Sequence, residues 1–263
     1  MTDHFSETAG LVDLDEFKTW ILLENDDFLA INKPGWLVCH PSKNGPLSSL
    51  VGAAREYSGL EVMHLVSRLD RETSGAVVLA KNRRAAGIAQ KAVETKDVGK
   101  KYLAILNGAL EGEYVVTQPL AGDKNSQVAI KQACAPDRAS AKRAATRFLP
   151  LRRGPRHTLC AVEILTGRKH QIRAHAQWIG REIVGDKIYG PDENVYLHFV
   201  ENGLSEADLK LVQMKRQALH AWEMDFTKVV PGMLIRAPIP DDFAEFMRSN
   251  GLGDAESLEA SHS

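Results

Sequence analysis

Asp70 has the setting in this chain that most invites chemistry. It stands in Ser67-Arg68-Leu69-Asp70-Arg71-Glu72-Thr73-Ser74-Gly75, with an arginine to each side. Flanking cations lower a carboxylate's pKa and keep it ionised. An ionised, positioned carboxylate can act as a nucleophile or as a base. The same residues would also suit a structural Asp whose ion pair holds a loop. Thr73, Ser74 and Gly75 add turn chemistry and backbone donors. A second segment, Lys100 to Gly108, sets one polar aromatic, Tyr102, in an apolar strand-like run; packing is the ordinary use of such a Tyr. A third, Thr166-Gly167-Arg168-Lys169-His170-Gln171-Ile172-Arg173-Ala174-His175, gathers three cations around a Thr-Gly turn before a helical run. Backbone N–H groups at such a start suit phosphate. His170 and His175 do not have the spacing of a zinc-binding HExxH helix, and no Glu follows His170. No metal site and no cofactor are expected.

These segments need elements to position them. FKTWILLEN and DFLAINKP, beginning at residues 17 and 27, read as strands, the second ended by Pro34. PGW at 34–36 is a turn, followed by a short LVCH strand. Residues 47–57 have helical spacing. The Asp70 segment reads as a loop before a buried strand, 75–81. Asn82 is a good N-cap for the helix that follows. Lys100–Gly108 is a strand. EYVVTQPL, SQVAIKQ, AKRAATRFLPL and HTLCAVEIL all read as strands; 168–180 and 205–214 read as helices. LHAWEMDF and MLIRAPI close the sheet, before a short helix from Asp241. Strands outnumber helices and most turns are short. The expectation is an α+β fold with a mixed, largely antiparallel sheet and flanking helices. Residues 1–24 are expected as an acidic arm, 25–248 as the catalytic domain and 249–263 as a disordered tail.

Composition is ordinary for a globular chain: 263 residues, 44% hydrophobic and 25% charged. No run approaches the roughly 20 apolar residues of a membrane span, and the acidic N-terminus has no signal-peptide pattern. The cysteines, Cys39, Cys134 and Cys160, form no CxxC pair. A reducing, cytoplasmic setting fits best. The formal net charge of −1 hides a sharp division. Residues 1–27 hold eight acids and one base, and residues 241–263 hold six acids and one base. Between them, residues 124–173 hold twelve bases and two acids. That stretch suits a phosphate-binding surface, or a solvated charged face.

The segments have a family likeness. SRLDRETSG followed by AVVLAK resembles the central HRLDRxTSG motif of RluA-type pseudouridine synthases, with Ser67 where His is usual. Lys100–Gly108 resembles that family's K-x-Y-x-A-x-V-x-G strand, with Leu106 for Val. Thr166–His175 resembles its TGRTHQIRxH motif, with Lys169 for Thr. Ile183-Val184-Gly185-Asp186-Lys187-Ile188-Tyr189-Gly190 resembles its P-I-x-G-D-x-x-Y-G segment, with Glu182 where Pro is common. Arg216-Gln217-Ala218-Leu219-His220-Ala221 resembles its R-Q-x-L-H-A segment. Five motifs in order cover about residues 25–240.

The resemblance implies a pseudouridine synthase-like core with a central RNA-binding cleft and a cofactor-free isomerisation of a uridine in ribosomal or transfer RNA. It assigns the catalytic carboxylate to Asp70, the active-site aromatic to Tyr102 and the arginine that pairs with the carboxylate to Arg173. Arg68 would help hold the target base out of the stack. Arg71, Thr73 and Lys101 are further candidates for substrate contact, as are Arg168, Lys169, His170 and Gln171. A core that starts near residue 25 implies a form without the small N-terminal RNA-binding domain of many relatives, so part of the RNA surface is expected in 109–160. A monomer is expected, with RNA as its partner and no membrane. Two rivals stand beside this reading: a non-catalytic RNA-binding or assembly factor on the same fold, and a nucleosidase or glycosylase that would release free uracil.

Overall fold

The computed structural model describes residues 10–40 and 44–260. The first nine residues of the expected arm and the last three of the expected tail lie outside the described residues. The chain divides into two compact units. The first takes the residues up to Lys100 together with His220–Pro238; the second takes Lys101–Leu219 and the residues from Ile239 onward.

The first unit is built on a short run of strands. β1 (Ile21–Glu24) pairs antiparallel with β2 (Phe28–Lys33), and β2 with β4 (Ser74–Ala80). β3 (His64–Leu65) pairs antiparallel with the far end of β4. β11 (Leu219–Asp225) runs parallel to the start of β4, and β12 (Leu234–Arg236) returns antiparallel along β11. Every residue of β4 is buried, which is why its sequence is a continuous apolar run and not an alternating one. Successive side chains of β2 and β4 point to opposite faces. Leu29, Ile31, Val77 and Leu79 meet α2 (Leu50–Ser58), while Phe28, Ala30, Val78 and Ala80 meet α3 (Arg83–Glu94). α2 starts where the Ser49 hydroxyl accepts the Gly52 N–H, and α3 where the Asn82 side chain accepts that of Ala85. The small residues Ala85, Ala86, Ala89 and Ala92 let α3 lie close on the sheet.

The second unit holds the antiparallel strands β5 (Gly99–Asn107), β10 (His157–Ile164), β9 (Thr146–Arg153) and β6 (Tyr114–Val116), in that order across the sheet. A separate pair, β7 (Leu120–Gly122) with β8 (Gln132–Cys134), lies against α4 (Gln171–Trp178). α5 (Asn194–Asn202), α6 (Glu206–Val212), α7 (Asp241–Ser249) and α8 (Ala255–Ala260) complete it. Ser205 and Asp208 form a capping box at the start of α6. The fold is α+β with a mixed, mostly antiparallel sheet and flanking helices, as expected.

Several local expectations need correction. The first half of FKTWILLEN is not strand: Asp13 caps α1 (Leu14–Thr19) by accepting the N–H groups of Asp15 and Glu16, and Phe17 is fully buried. The expected arm at 1–24 therefore contains core residues, since α1 and β1 fall within it. LVCH contributes only an isolated bridge at Val38. In SQVAIKQ only the last residue enters β8. Residues 194–202, unassigned from sequence, are helical. The expected disordered tail carries α8. Leu252, Ala255 and Leu258 recur every three residues and are buried, and Arg152 donates to the carbonyls of Leu252 and Asp254 and to the Ser257 hydroxyl. Acidic composition masked that apolar stripe.

Gly75 decides whether β4 and β11 can pair. Its φ is +110°, and an added Cβ would sit 2.2 Å from the Ala221 carbonyl oxygen. Gly75→Ala is expected to destabilise the protein by about 3 kcal/mol or more through strain and overlap. Urea denaturation checks this; a change below about 1 kcal/mol would refute the close approach.

Candidate active site

In the first unit, the Asp70 loop spans Val66 to Thr73, between β3 and β4. Arg68 is exposed, Asp70 and Arg71 are half-buried, and Thr73 is buried. A turn closes the loop, with the Thr73 N–H donating to the Asp70 carbonyl at 3.2 Å. The strand after the loop is anchored by its neighbour. Ser74 Oγ lies 3.0 Å from His220 Nδ1, and His220 Nε2 lies 3.2 Å from the Ala237 carbonyl. A carbonyl only accepts, so His220 Nε2 carries a proton and donates to Ala237. The first and last of the motifs noted in the sequence thus meet at the start of β4.

In the second unit, Tyr102 and Lys101 are half-buried on β5, opposite Val162 and Glu163 of β10. The Thr-Gly segment leads into α4, with His170 at its cap in the left-handed region (φ +54°). Arg173 is buried in α4. Its Nε and Nη2 donate to the two carboxylate oxygens of Asp186 at 2.6 and 2.8 Å, a bidentate pair. Asp186 Oδ1 also accepts the N–H groups of Ile188 and Tyr189. Burial by itself would raise the Asp186 carboxyl. The Arg173 guanidinium and the two N–H groups outweigh it and hold the pKa below the ordinary value. The Tyr189 ring lies under the Arg173 guanidinium, 4.9 Å from its centre. Gly185 (φ +79°) allows this turn, since a Cβ there would overlap the Arg216 carbonyl.

Two of the residues expected to contact RNA, Gln171 and His170, are buried and hydrogen-bonded within this unit. Gln171 is 3% exposed. Its Oε1 accepts from the Thr166 hydroxyl and the Arg168 N–H, and its Nε2 donates to the Ala145 carbonyl and the Thr146 hydroxyl. It staples the Thr-Gly turn to β9. His170 is also buried. The Tyr189 hydroxyl accepts the Gln132 N–H at 2.7 Å and lies 3.0 Å from His170 Nδ1. Arg168 and Lys169 are exposed, and Arg168 Nε donates to the Arg143 carbonyl.

The basic stretch divides in the same way. Lys131 pairs with Glu193, Arg147 with Glu113 and Glu163, and Arg153 with Glu111. Among the described residues of this stretch, Lys124, Lys142, Arg143, Arg156, Arg168 and Lys169 are exposed cations with no carboxylate partner. Asp186, Tyr189, Ser74 and His220 were not among the expected site residues. The sequence signal for the first two is the Gly-Asp-x-x-Tyr-Gly spacing, and nothing in it reveals which partner Asp186 takes.

His175 in α4 is fully buried, with Nδ1 2.8 Å from the Thr146 hydroxyl and Nε2 2.9 Å from the Gln118 carbonyl. Desolvation lowers its pKa from 6.5, against the smaller opposing effect of the Gln118 carbonyl. Unfolding restores the ordinary value, so the unfolded chain takes up the proton first as pH falls. Stability from neutral His175 is present above about pH 6.5 and declines below it. The melting temperature should fall between pH 7.5 and 5.5, and less steeply in His175→Gln. Equal slopes in both proteins would refute the assignment.

The residues match a known family. The description "RNA pseudouridylate synthase" matches residues 27–178, more than half of the chain. The ribosomal large subunit pseudouridine synthase D of Nitrosomonas europaea is 33% identical over 241 residues, covering 87% of this chain and 64% of that protein. That of Xanthomonas campestris pv. campestris is 33% identical over 233 residues, covering 86% and 68%. The uncharacterized RNA pseudouridine synthase YlyB of Bacillus subtilis is 32% identical over 244 residues, covering 88% and 73%. This chain thus spans 64% to 73% of the length of these relatives. The solved structure of human RNA pseudouridylate synthase domain containing 4 has the same fold, with a TM-score of 0.70 at 24% identity over 89% of this chain and 94% of that one. A match over more than half its length and relatives a third identical across most of the rest place the chain in the RNA pseudouridylate synthase family.

Proposed function

We propose that this protein isomerises a uridine of ribosomal RNA to pseudouridine, with Asp70 as the catalytic carboxylate. The observation that carries this reading is Asp70 itself, half-buried between two arginines on a loop closed by its own carbonyl, in a chain of this family. The choice of ribosomal RNA follows the names of the relatives.

A stacked uridine must be flipped from the RNA before a side chain can reach its glycosidic bond, at a cost of a few kcal/mol. Lys142, Arg143, Arg168 and Lys169 would hold the surrounding phosphates, which makes binding weaken with salt. Arg68 and Arg71 would meet the RNA beside the flipped base, with Thr73 and Lys101 as further contacts. Asp70 then acts at the ribose–uracil junction, by attack on the anomeric carbon or by removal of a ribose proton to give a glycal. The uracil turns and rejoins through carbon five, whose surplus proton passes to Tyr102 or to water beside it. Arg173 is assigned to keep the catalytic carboxylate ionised and oriented. Atoms and oxidation state are conserved from substrate to product, so the isomerisation calls for no cofactor. A cytoplasmic site of action and a monomer complete the proposal.

The test uses total RNA from a strain lacking this gene, treated with the purified protein or with Asp70→Ala. Pseudouridine is mapped by carbodiimide-dependent reverse-transcription stops. A stop in ribosomal RNA made by the wild type and not by the variant supports the reading. Free uracil would favour a hydrolytic glycosylase, and neither product would favour the non-catalytic RNA-binding factor.

A further inference from the structure

We propose that Lys33 and Cys39 are positioning residues for Asp70, gripping the peptide on either side of it: Lys33 through the Arg71 carbonyl, Cys39 through both backbone groups of Leu69. The inference rests on the role given to Asp70 above. Lys33 ends β2 and its side chain is fully buried. Its Nζ donates to the carbonyls of Pro34 at 2.8 Å, Leu37 at 2.8 Å and Arg71 at 2.9 Å. An ammonium in a protein interior is tolerated only where its donors are met. These three carbonyls come from the Pro-Gly turn and from the Asp70 loop, so the ammonium ties one to the other.

Cys39 holds the opposite flank. Its thiol is buried, and its sulfur accepts the Leu69 N–H at 3.4 Å and donates to the Leu69 carbonyl at 3.5 Å. Burial raises the thiol pKa. Smaller influences come from the charges of Lys33, Asp70 and Arg68, which places the sulfur within the field of the carboxylate. With the Asp70 carbonyl held by the Thr73 N–H, the backbone is tied at three consecutive residues, Leu69, Asp70 and Arg71. A displacement of about 1 Å at a reacting group can cost about 10²-fold in rate, which is the reason for a loop tied this closely.

Lys33→Met takes the ammonium away from three carbonyls and could fail to fold, so the Cys39 series carries the test. Cys39→Val removes both sulfur bonds at similar volume, and Cys39→Ser keeps a donor and an acceptor. The full-length protein is assayed for single-turnover pseudouridine formation, for RNA affinity and for hydrogen exchange of the Leu69 amide. Cys39→Val should slow the reaction by about tenfold, leave RNA affinity unchanged and expose the Leu69 amide, and Cys39→Ser should recover most of both losses. An unchanged rate, an equal loss in affinity, or a serine variant no better than valine would overturn the proposal. A wild type that makes no pseudouridine would sink the functional reading alone. The exchange measurement would still decide the brace: faster Leu69 exchange in Cys39→Val supports it and unchanged exchange refutes it.

Discussion

Asp70→Asn is expected to lower the rate of pseudouridine formation by about 10⁴-fold or more while leaving RNA affinity nearly unchanged. Asn has the shape of Asp and lacks its charge, so it can neither attack the anomeric carbon nor take a ribose proton. The Thr73 N–H bonds to the Asp70 carbonyl, a contact that the substitution leaves in place. Asp70→Glu keeps the charge and lengthens the arm by one methylene. If the tied backbone of residues 69–71 sets the reach of the carboxylate, Glu overshoots and should retain no more than about a hundredth of the activity. Single-turnover rates and filter-binding affinities on the same RNA separate chemistry from binding. An Asn variant within about tenfold of wild type would remove Asp70 from the mechanism.

Asp186→Ala is the substitution expected to damage stability most. Arg173 is about 5% exposed, and removal of Asp186 takes away its buried bidentate carboxylate. Breaking one side of a buried pair costs about 3–5 kcal/mol. The N–H groups of Ile188 and Tyr189 lose their acceptor as well. The double variant Asp186→Ala/Arg173→Met also removes the charge that lost this carboxylate and should recover part of the loss, which a double-mutant cycle measures. Asp186→Asn keeps an oxygen for the two N–H groups and should fall between. Urea denaturation of the wild type, of Asp186→Ala, Arg173→Met and Asp186→Asn, and of the double variant is the measurement. A single alanine variant within about 1 kcal/mol of wild type would show that the pair contributes little. Linkage adds a pH signature. The folded pKa of Asp186 lies below its ordinary value of 3.8, so its stabilisation is present above that value and is lost as pH falls through the folded pKa.

Features that depend on neighbours along the chain were legible without coordinates. The apolar run of β4 announced a buried strand, Asn82 announced the start of α3, and the Asp70 segment announced a loop ended by Ser-Gly. Each rests on contacts within a few residues. The α+β class followed from the alternation of short strands with a few helices. Where expectations failed, a local pattern supported two outcomes and packing chose. Phe17 fits a strand or a helix, and the Asp13 cap together with burial made it helix. The sequence 252–258 is polar enough for disorder, yet three apolar residues found a surface beside Arg152.

The candidate site divides along the same line. Sequence determined the chemical types and their order: a carboxylate between arginines, an aromatic on a strand, cations around a Thr-Gly turn. Tertiary structure decided which of these face outward and which are committed inside. Gln171 is committed to Ala145 and Thr146, Arg173 takes Asp186, and Lys33 reaches Arg71 across 38 residues. A side chain's partners depend on which distant backbone groups lie within about 3 Å after folding, and no local spacing encodes that distance.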